Sequence, residues 1–144
     1  GQGLRAVIAG EGEERARLET LITTLGLSTR VHLTGRLNDE TMLDHLARCR
    51  AVCFPPLQED YGFVTVEAFA SRKAVVTCTD SGGPAELVRD DVNGKVCAPR
   101  PETLAVALRE LMDDAAAAQR LGQAGLDLVT EMTWSRAVGR LLGG

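Results

Sequence analysis

No stretch of this 144-residue chain strings together the roughly 18 apolar residues that a membrane-spanning helix requires. The opening run GQGLRAVIAG lacks the basic-then-apolar order of a secretory signal. Positive charge is also short. Sixteen Lys and Arg against 20 Asp and Glu leave a formal charge of -4, which gives no footprint for nucleic acid or anionic lipid. Arg36, Arg48 and Arg50 lie close in sequence without outweighing the acids. Cys49, Cys53, Cys78 and Cys97 follow no disulfide framework and read as reduced cytoplasmic thiols in a core. Cys49-x3-Cys53 is not zinc spacing, so no metal site is expected. His32 in an apolar strand and His45 on a helix lack partners for a nucleophilic triad and read as structural. There is no internal repeat and no low-complexity linker. With 44% hydrophobic and 25% charged residues, the chain reads as one soluble domain, residues 1–144, with a core that needs no staples.

What is present is an alternation of short β-rich runs and longer helical patterns. Arg5 to Ala9 reads as a strand ending at Gly10-Glu11-Gly12. The following helix puts Leu18, Leu21, Ile22 and Leu25 on one face and stops at Gly26. Val31 to Thr34 is a second strand. Asn38 caps a helix bearing Met42, Leu43 and Leu46, with Leu37 and Met42 spaced for a hydrophobic staple. Ala51 to Phe54, Ala74 to Cys78 and Lys95 to Cys97 are further strands. A helix over Phe63 to Ser71 and a short one through Leu87 and Val88 separate them. From Pro101 the chain reads as helical in three pieces, with Leu104, Leu108 and Leu111 as the first stripe and Ala115 to Ala118 as helix filler. This order predicts an α/β, Rossmann-like parallel sheet with helices on both faces and ligands at the carboxyl ends of its strands.

The segment from Pro55 to Ala70, PPLQEDYGFVTVEAFA, carries the chemistry. Gly62 opens a helix whose first N–H groups, at Gly62, Phe63 and Val64, suit a phosphate oxygen, and without a Cβ it lets an anion approach the backbone. Glu59 before that end and Glu67 a turn inside the helix suit hydroxyls of a sugar or ribose rather than the anion. The same pattern equally fits a plain strand–loop–helix crossover with two solvated glutamates. Gly10-Glu11-Gly12 lacks the third glycine of a dinucleotide fingerprint, because position 15 is Arg15. Asp80 to Pro84 reads either as a second backbone cradle or as a tight strand-to-helix turn, and Trp134 as a packing anchor.

Taken in order, these segments resemble the donor-binding core of family 4 retaining glycosyltransferases. The resemblance runs through Val7 to Arg15, Arg30 to Leu37, the glutamates at 59 and 67, Ala74 to Val88, Asn93 to Pro99 and Thr133-Trp134. It implies the carboxy-terminal half of a GT-B fold, transferring a sugar from a nucleotide diphosphate donor to an acceptor hydroxyl without a metal. By the same resemblance Glu59 would be the catalytic residue, contacting donor-sugar hydroxyls in an electrostatic and positioning role. Gly62, Phe63 and Val64 would meet the diphosphate or sugar, and Glu67 the ribose. Thr34, Gly35, Arg36 and Leu37 would border the nucleobase, with Gly10, Gly12, Gly82 and Gly83 at the cleft edge. A nucleotide sugar is the implied partner, with no other cofactor. The family's first strand region and its amino-terminal acceptor domain are expected to be absent, and any peripheral membrane contact would come through that domain. The fragment alone is expected to be inactive. A GT-B phosphorylase, a sugar-nucleotide epimerase domain and a non-catalytic nucleotide-binding module remain alternatives. Arg72 and Ala74 depart from the usual Gly and Pro, so Arg72 either tolerates positive φ or ends the helix differently. Arginine far outnumbers lysine, which points to a GC-rich bacterial genome.

Overall fold

The computed structural model describes residues 4–132. Thr133 and Trp134 lie outside the described residues. The chain divides into two compact units, one extending to Asp44 and the other starting at His45.

In the first unit, β1 (Ala6–Ala9) pairs in parallel with β2 (Val31–Gly35), Ala6 opposite Val31, and the register shifts between Ile8 and Ala9. α1 (Arg15–Thr24) connects them. The expected apolar face of α1 is only partly covered: none of its residues is buried, and Leu21 and Leu25 are exposed. All four β1 residues are exposed as well, although AVIA is a strand-forming apolar run. The division falls within α2 (Asp39–Arg48). Asn38 caps that helix as expected, its Oδ1 accepting from Thr41 N–H at 2.8 Å. Leu46 is buried, but Leu43, read as part of the same apolar face, is 61% exposed.

The second unit carries a three-stranded parallel sheet in the order β3-β4-β5: β3 (Ala51–Cys53), β4 (Ala74–Cys78) and β5 (Gly94–Cys97). Between β3 and β4 runs α3 (Phe63–Ala70), and between β4 and β5 runs α4 (Gly83–Leu87). α5 (Pro101–Asp113) and α6 (Ala115–Thr130) follow. Every residue of the central strand β4 is buried, which is why AVVTC is apolar without alternation. Its side chains still alternate between two cores. Ala74 and Val76 pack with Ala107, Leu111, Ala118 and Leu121, and Val75 packs with Ala68, Phe69 and Val88. This sheet is therefore covered on both faces, as the alternation of elements predicts. Hydrogen bonds group the strands as β1-β2 in the first unit and β3-β4-β5 in the second. Ala118, read as filler, is a core residue, because the helix of which it is part lies against the sheet. Cys53 is exposed rather than in the core.

Candidate functional site

The site is built where β3 leaves the sheet. Phe54 prolongs the pairing, its N–H donating to the Val76 carbonyl at 2.9 Å while its own carbonyl accepts from Thr77 Oγ1 at 2.9 Å. Pro55 and Pro56 cannot donate to a ladder and end the strand. The loop beyond is not free. Gln58 N–H donates to Asp80 O at 3.0 Å, Glu59 N–H to Ser81 O at 3.0 Å, and Gly83 N–H to Glu59 O at 2.8 Å. The two loops at the carboxyl ends of β3 and β4 are thereby laced together in a parallel bridge between Glu59 and Gly82.

Glycine is required at this seam. Gly82 has φ 73°, and a Cβ there would lie 2.5 Å from the Glu59 carbonyl. A Cβ on Gly83 would lie 2.5 Å from Asp60 O, and one on Gly62 2.5 Å from Pro84 Cγ. Gly62, at φ 71°, is the N-cap of α3 and is buried. The Asp80–Pro84 turn is thus a brace for the Glu59 loop, and the Gly83 N–H is spent on that brace instead of forming an open cradle.

The brace leaves the N-terminus of α3 open. No side chain among the described residues caps it, and Thr65 N–H is already given to the Gly62 carbonyl at 2.9 Å. The N–H groups of Phe63 and Val64 have no partner among the described residues. Two unsatisfied donors at the positive end of a helix form an anion-binding element. Glu59 and Glu67 are both exposed, Glu59 on the braced loop and Glu67 one turn after Phe63 on the same helix face. Such an arrangement can hold an anionic group by backbone donors and accept hydroxyl hydrogen bonds by two carboxylates. Sequence reading missed the adjacent ring pair of Tyr61 and Phe63, with centroids 5.0 Å apart.

The other candidates belong to the first unit. Gly10 N–H donates to Gly35 O at 2.9 Å, which ties the turn after β1 to the end of β2. The Thr34 hydroxyl lies 3.3 Å from Ile8 O and 3.2 Å from Gly35 O. Gly35 is buried at φ 74°, and the Glu11 carboxylate occupies the place a Cβ would take. Arg36 is exposed and Leu37 half-buried, while Gly12 has open space around it.

One thiol at a strand end is perturbed: burial pushes Cys78 up to about 11, with Cys97 beside it adding to the shift. Among the described residues, no group of three or more His, Cys, Asp or Glu side chains is arranged to hold a metal ion.

Comparison with known proteins matches residues 1–127 to the family described as Glycosyl transferases group 1. The alpha-D-kanosaminyltransferase of Streptomyces kanamyceticus is 31% identical over 145 aligned positions, covering 100% of this chain and 37% of that protein. Among solved structures, Anabaena HepE in complex with UDP-glucose superposes with a TM-score of 0.81 at 26% identity, covering 98% of this chain and 40% of that one. The C-terminal domain of a group 1 family protein from Francisella tularensis gives 0.76 at 27% identity, covering 89% of this chain and 69% of that one. The chain spans roughly a third of the length of the relatives it matches.

Proposed function

Because the chain belongs to the glycosyl transferases group 1 family, we propose that it is the nucleotide-sugar-binding half of a two-domain retaining glycosyltransferase. The observation that carries this reading is the open end of α3, with free N–H groups at Phe63 and Val64 between two exposed carboxylates. Those donors face a diphosphate oxygen and stabilise the charge that grows as the diphosphate leaves. Glu67 accepts hydrogen bonds from the ribose hydroxyls. Glu59, on a loop held by three backbone hydrogen bonds, accepts from the donor hexose and fixes the anomeric carbon for attack from the face the diphosphate leaves. No metal ion is invoked in this scheme. That HepE has been solved with UDP-glucose makes UDP-glucose the first donor to try. No helix among the described residues is long and apolar enough to cross a membrane. Four free cysteines fit a reducing compartment, and we assign the chain to the cytoplasm.

Calorimetric titration of UDP and UDP-glucose against the chain and two variants tests the roles. Glu67→Ala removes a charge-assisted hydrogen bond to a group both ligands carry. Both should weaken by a similar factor, about 10- to 150-fold. Glu59→Ala should weaken UDP-glucose well beyond UDP, because only the former carries the hexose. A Glu67→Ala variant that keeps its fold and binds both ligands unchanged sinks the ribose assignment.

A further inference from the structure

We propose that Cys78 and Cys97 form a redox pair that a neutral peroxide closes into a disulfide. The two residues are register partners at the carboxyl ends of β4 and β5. Neighbouring strands lie about 4.8 Å apart, which is within the Cα separation that a disulfide spans. Both side chains belong to the same face of the sheet. Val76, two residues before Cys78, and Cys97 itself pack into the cluster formed with α5 and α6. Each thiol also reaches toward the other's strand. Cys97 Sγ is 3.6 Å from the Thr77 carbonyl, and Cys78 Sγ is 3.9 Å from the Ala98 carbonyl. The remaining two cysteines are placed differently. Cys53 stands opposite Val76 and not opposite a thiol, and Cys49 follows the end of α2.

Access and charge decide which oxidant enters and which sulfur it meets. Cys97 is half-buried and lines a cavity of about 420 Å³ along β5 and α5, whereas Cys78 is 4% exposed. Asp90, Asp91, Glu102 and Glu110 line the same cavity together with Lys95. This excess of negative charge repels anionic oxidants and leaves a neutral peroxide unopposed. The Cys97 thiolate attacks one peroxide oxygen and the O–O bond breaks. The departing hydroxide takes up the thiol's proton as water, which leaves a sulfenic acid on Cys97. The Cys78 sulfur then attacks the Cys97 sulfur, the S–O bond breaks, and hydroxide leaves with the Cys78 proton as a second water. The pair loses two electrons, and one peroxide becomes two waters. Burial keeps Cys78 protonated, so it resolves the sulfenic acid and is not the first to react. In a reducing compartment both thiols rest reduced, and a disulfide of this kind is transient. It would close next to the turn that braces Glu59, since Cys78 N–H donates to Ser81 Oγ at 3.2 Å.

Hydrogen peroxide treatment of the whole folded chain tests this, followed by thiol alkylation, tryptic digestion without reductant and mass spectrometry. The expected product is a linked pair of peptides carrying Cys78 and Cys97, lighter by two hydrogens than the reduced pair and separated again by dithiothreitol. Cys53→Ser should form the bond to the same extent. Cys78→Ala should leave Cys97 as a sulfenic acid that dimedone captures. Three results on the unaltered chain would each overturn the proposal. Peroxide could leave both Cys78 and Cys97 open to alkylation, or the bond could go to Cys49, to Cys53 or to a second chain. The third is a urea-unfolded chain that joins Cys78 to Cys97 as fast as the folded one, since the fold would then align nothing. Closure by oxidised glutathione but not by peroxide would overturn the class of oxidant. A Cys78→Ala chain that gives no dimedone adduct at Cys97 would overturn the order of attack.

Discussion

At Arg72 the backbone turns to φ 58°, where an L side chain is disfavoured. The reason is the end of α3. Lys73 N–H donates to Ala68 O and Arg72 N–H to Phe69 O, both at 2.9 Å, a Schellman closure that demands a left-handed residue after the cap. Of the two outcomes the sequence allowed, tolerated strain is the one found. Arg72→Gly should therefore stabilise the chain by about 0.5–1 kcal/mol, relief of strain outweighing the added freedom of the unfolded chain. The check is a higher urea midpoint at unchanged slope. Thr65 carries a second local cost. It is fully buried and its Oγ1 has no hydrogen-bond partner among the described residues. Thr65→Val keeps the shape and removes the orphan, and should add about 1–2 kcal/mol. An unchanged or lower midpoint would mean that the hydroxyl is satisfied in solution. Arg72 was legible because it stands where the resembled family usually has Gly, just after a helical run. Thr65 was not, because a hydroxyl in a helical run does not announce which side of the helix is covered.

Between elements, α6 approaches α3 through two glycines. A Cβ on Gly125 would run into the Phe69 ring, and one on Gly122 would run into the Arg72 carbonyl. Helix propensity alone favours alanine at both positions by about 1 kcal/mol. The Arg72 carbonyl is backbone and cannot rotate away, so overpacking at about 1–3 kcal/mol should win at Gly122. Gly122→Ala is expected to lower the midpoint on thermal melting, whereas a rise would show that α6 can slide. The same limit governed how the candidate site could be read. Glu59, Gly62 and Glu67 lie within one continuous segment, and the resemblance that singles them out rests on that segment. The brace that holds Glu59 depends on how β3 registers against β4, with Cys53 opposite Val76, and no local motif encodes that pairing. Leu21, Leu25 and Leu43 fit a helical stripe, yet periodicity says only which face could be covered, not whether anything covers it.

At the scale of the whole chain, the α/β alternation was legible because strands such as Ala74–Cys78 are short, apolar and bounded by turn residues. Which strand pairs with which was not, since hydrogen-bonding order follows from tertiary pairing. Ionisation offers a measurement on the second unit that depends on burial rather than on pattern. Cys78, 4% exposed, is held protonated to about 11, mainly by burial and next by Cys97. Lys95 Nζ is 2.6 Å from both Asp91 Oδ1 and Glu110 Oε2, and those hydrogen bonds push its pKa above the ordinary lysine value. For both groups the folded pKa lies above the unfolded one, so the folded chain binds more protons than the unfolded chain at alkaline pH. Stability should then be complete below the unfolded thiol value of about 8.5 and fall as pH rises past it. The thiol part should be spent near 11, and the lysine part should begin to fade above about 10.4. Urea midpoints measured from pH 7 to 11 should trace this decline. Cys78→Ala should flatten its first limb, at the cost of a uniformly lower midpoint from the lost packing of a buried side chain. Lys95→Met should flatten the upper limb and lower the neutral-pH stability by about 1 kcal/mol, because the partner carboxylates are largely solvated. A midpoint that holds constant from pH 8 to 11 would show that Cys78 ionises as readily in the folded chain as in the unfolded one.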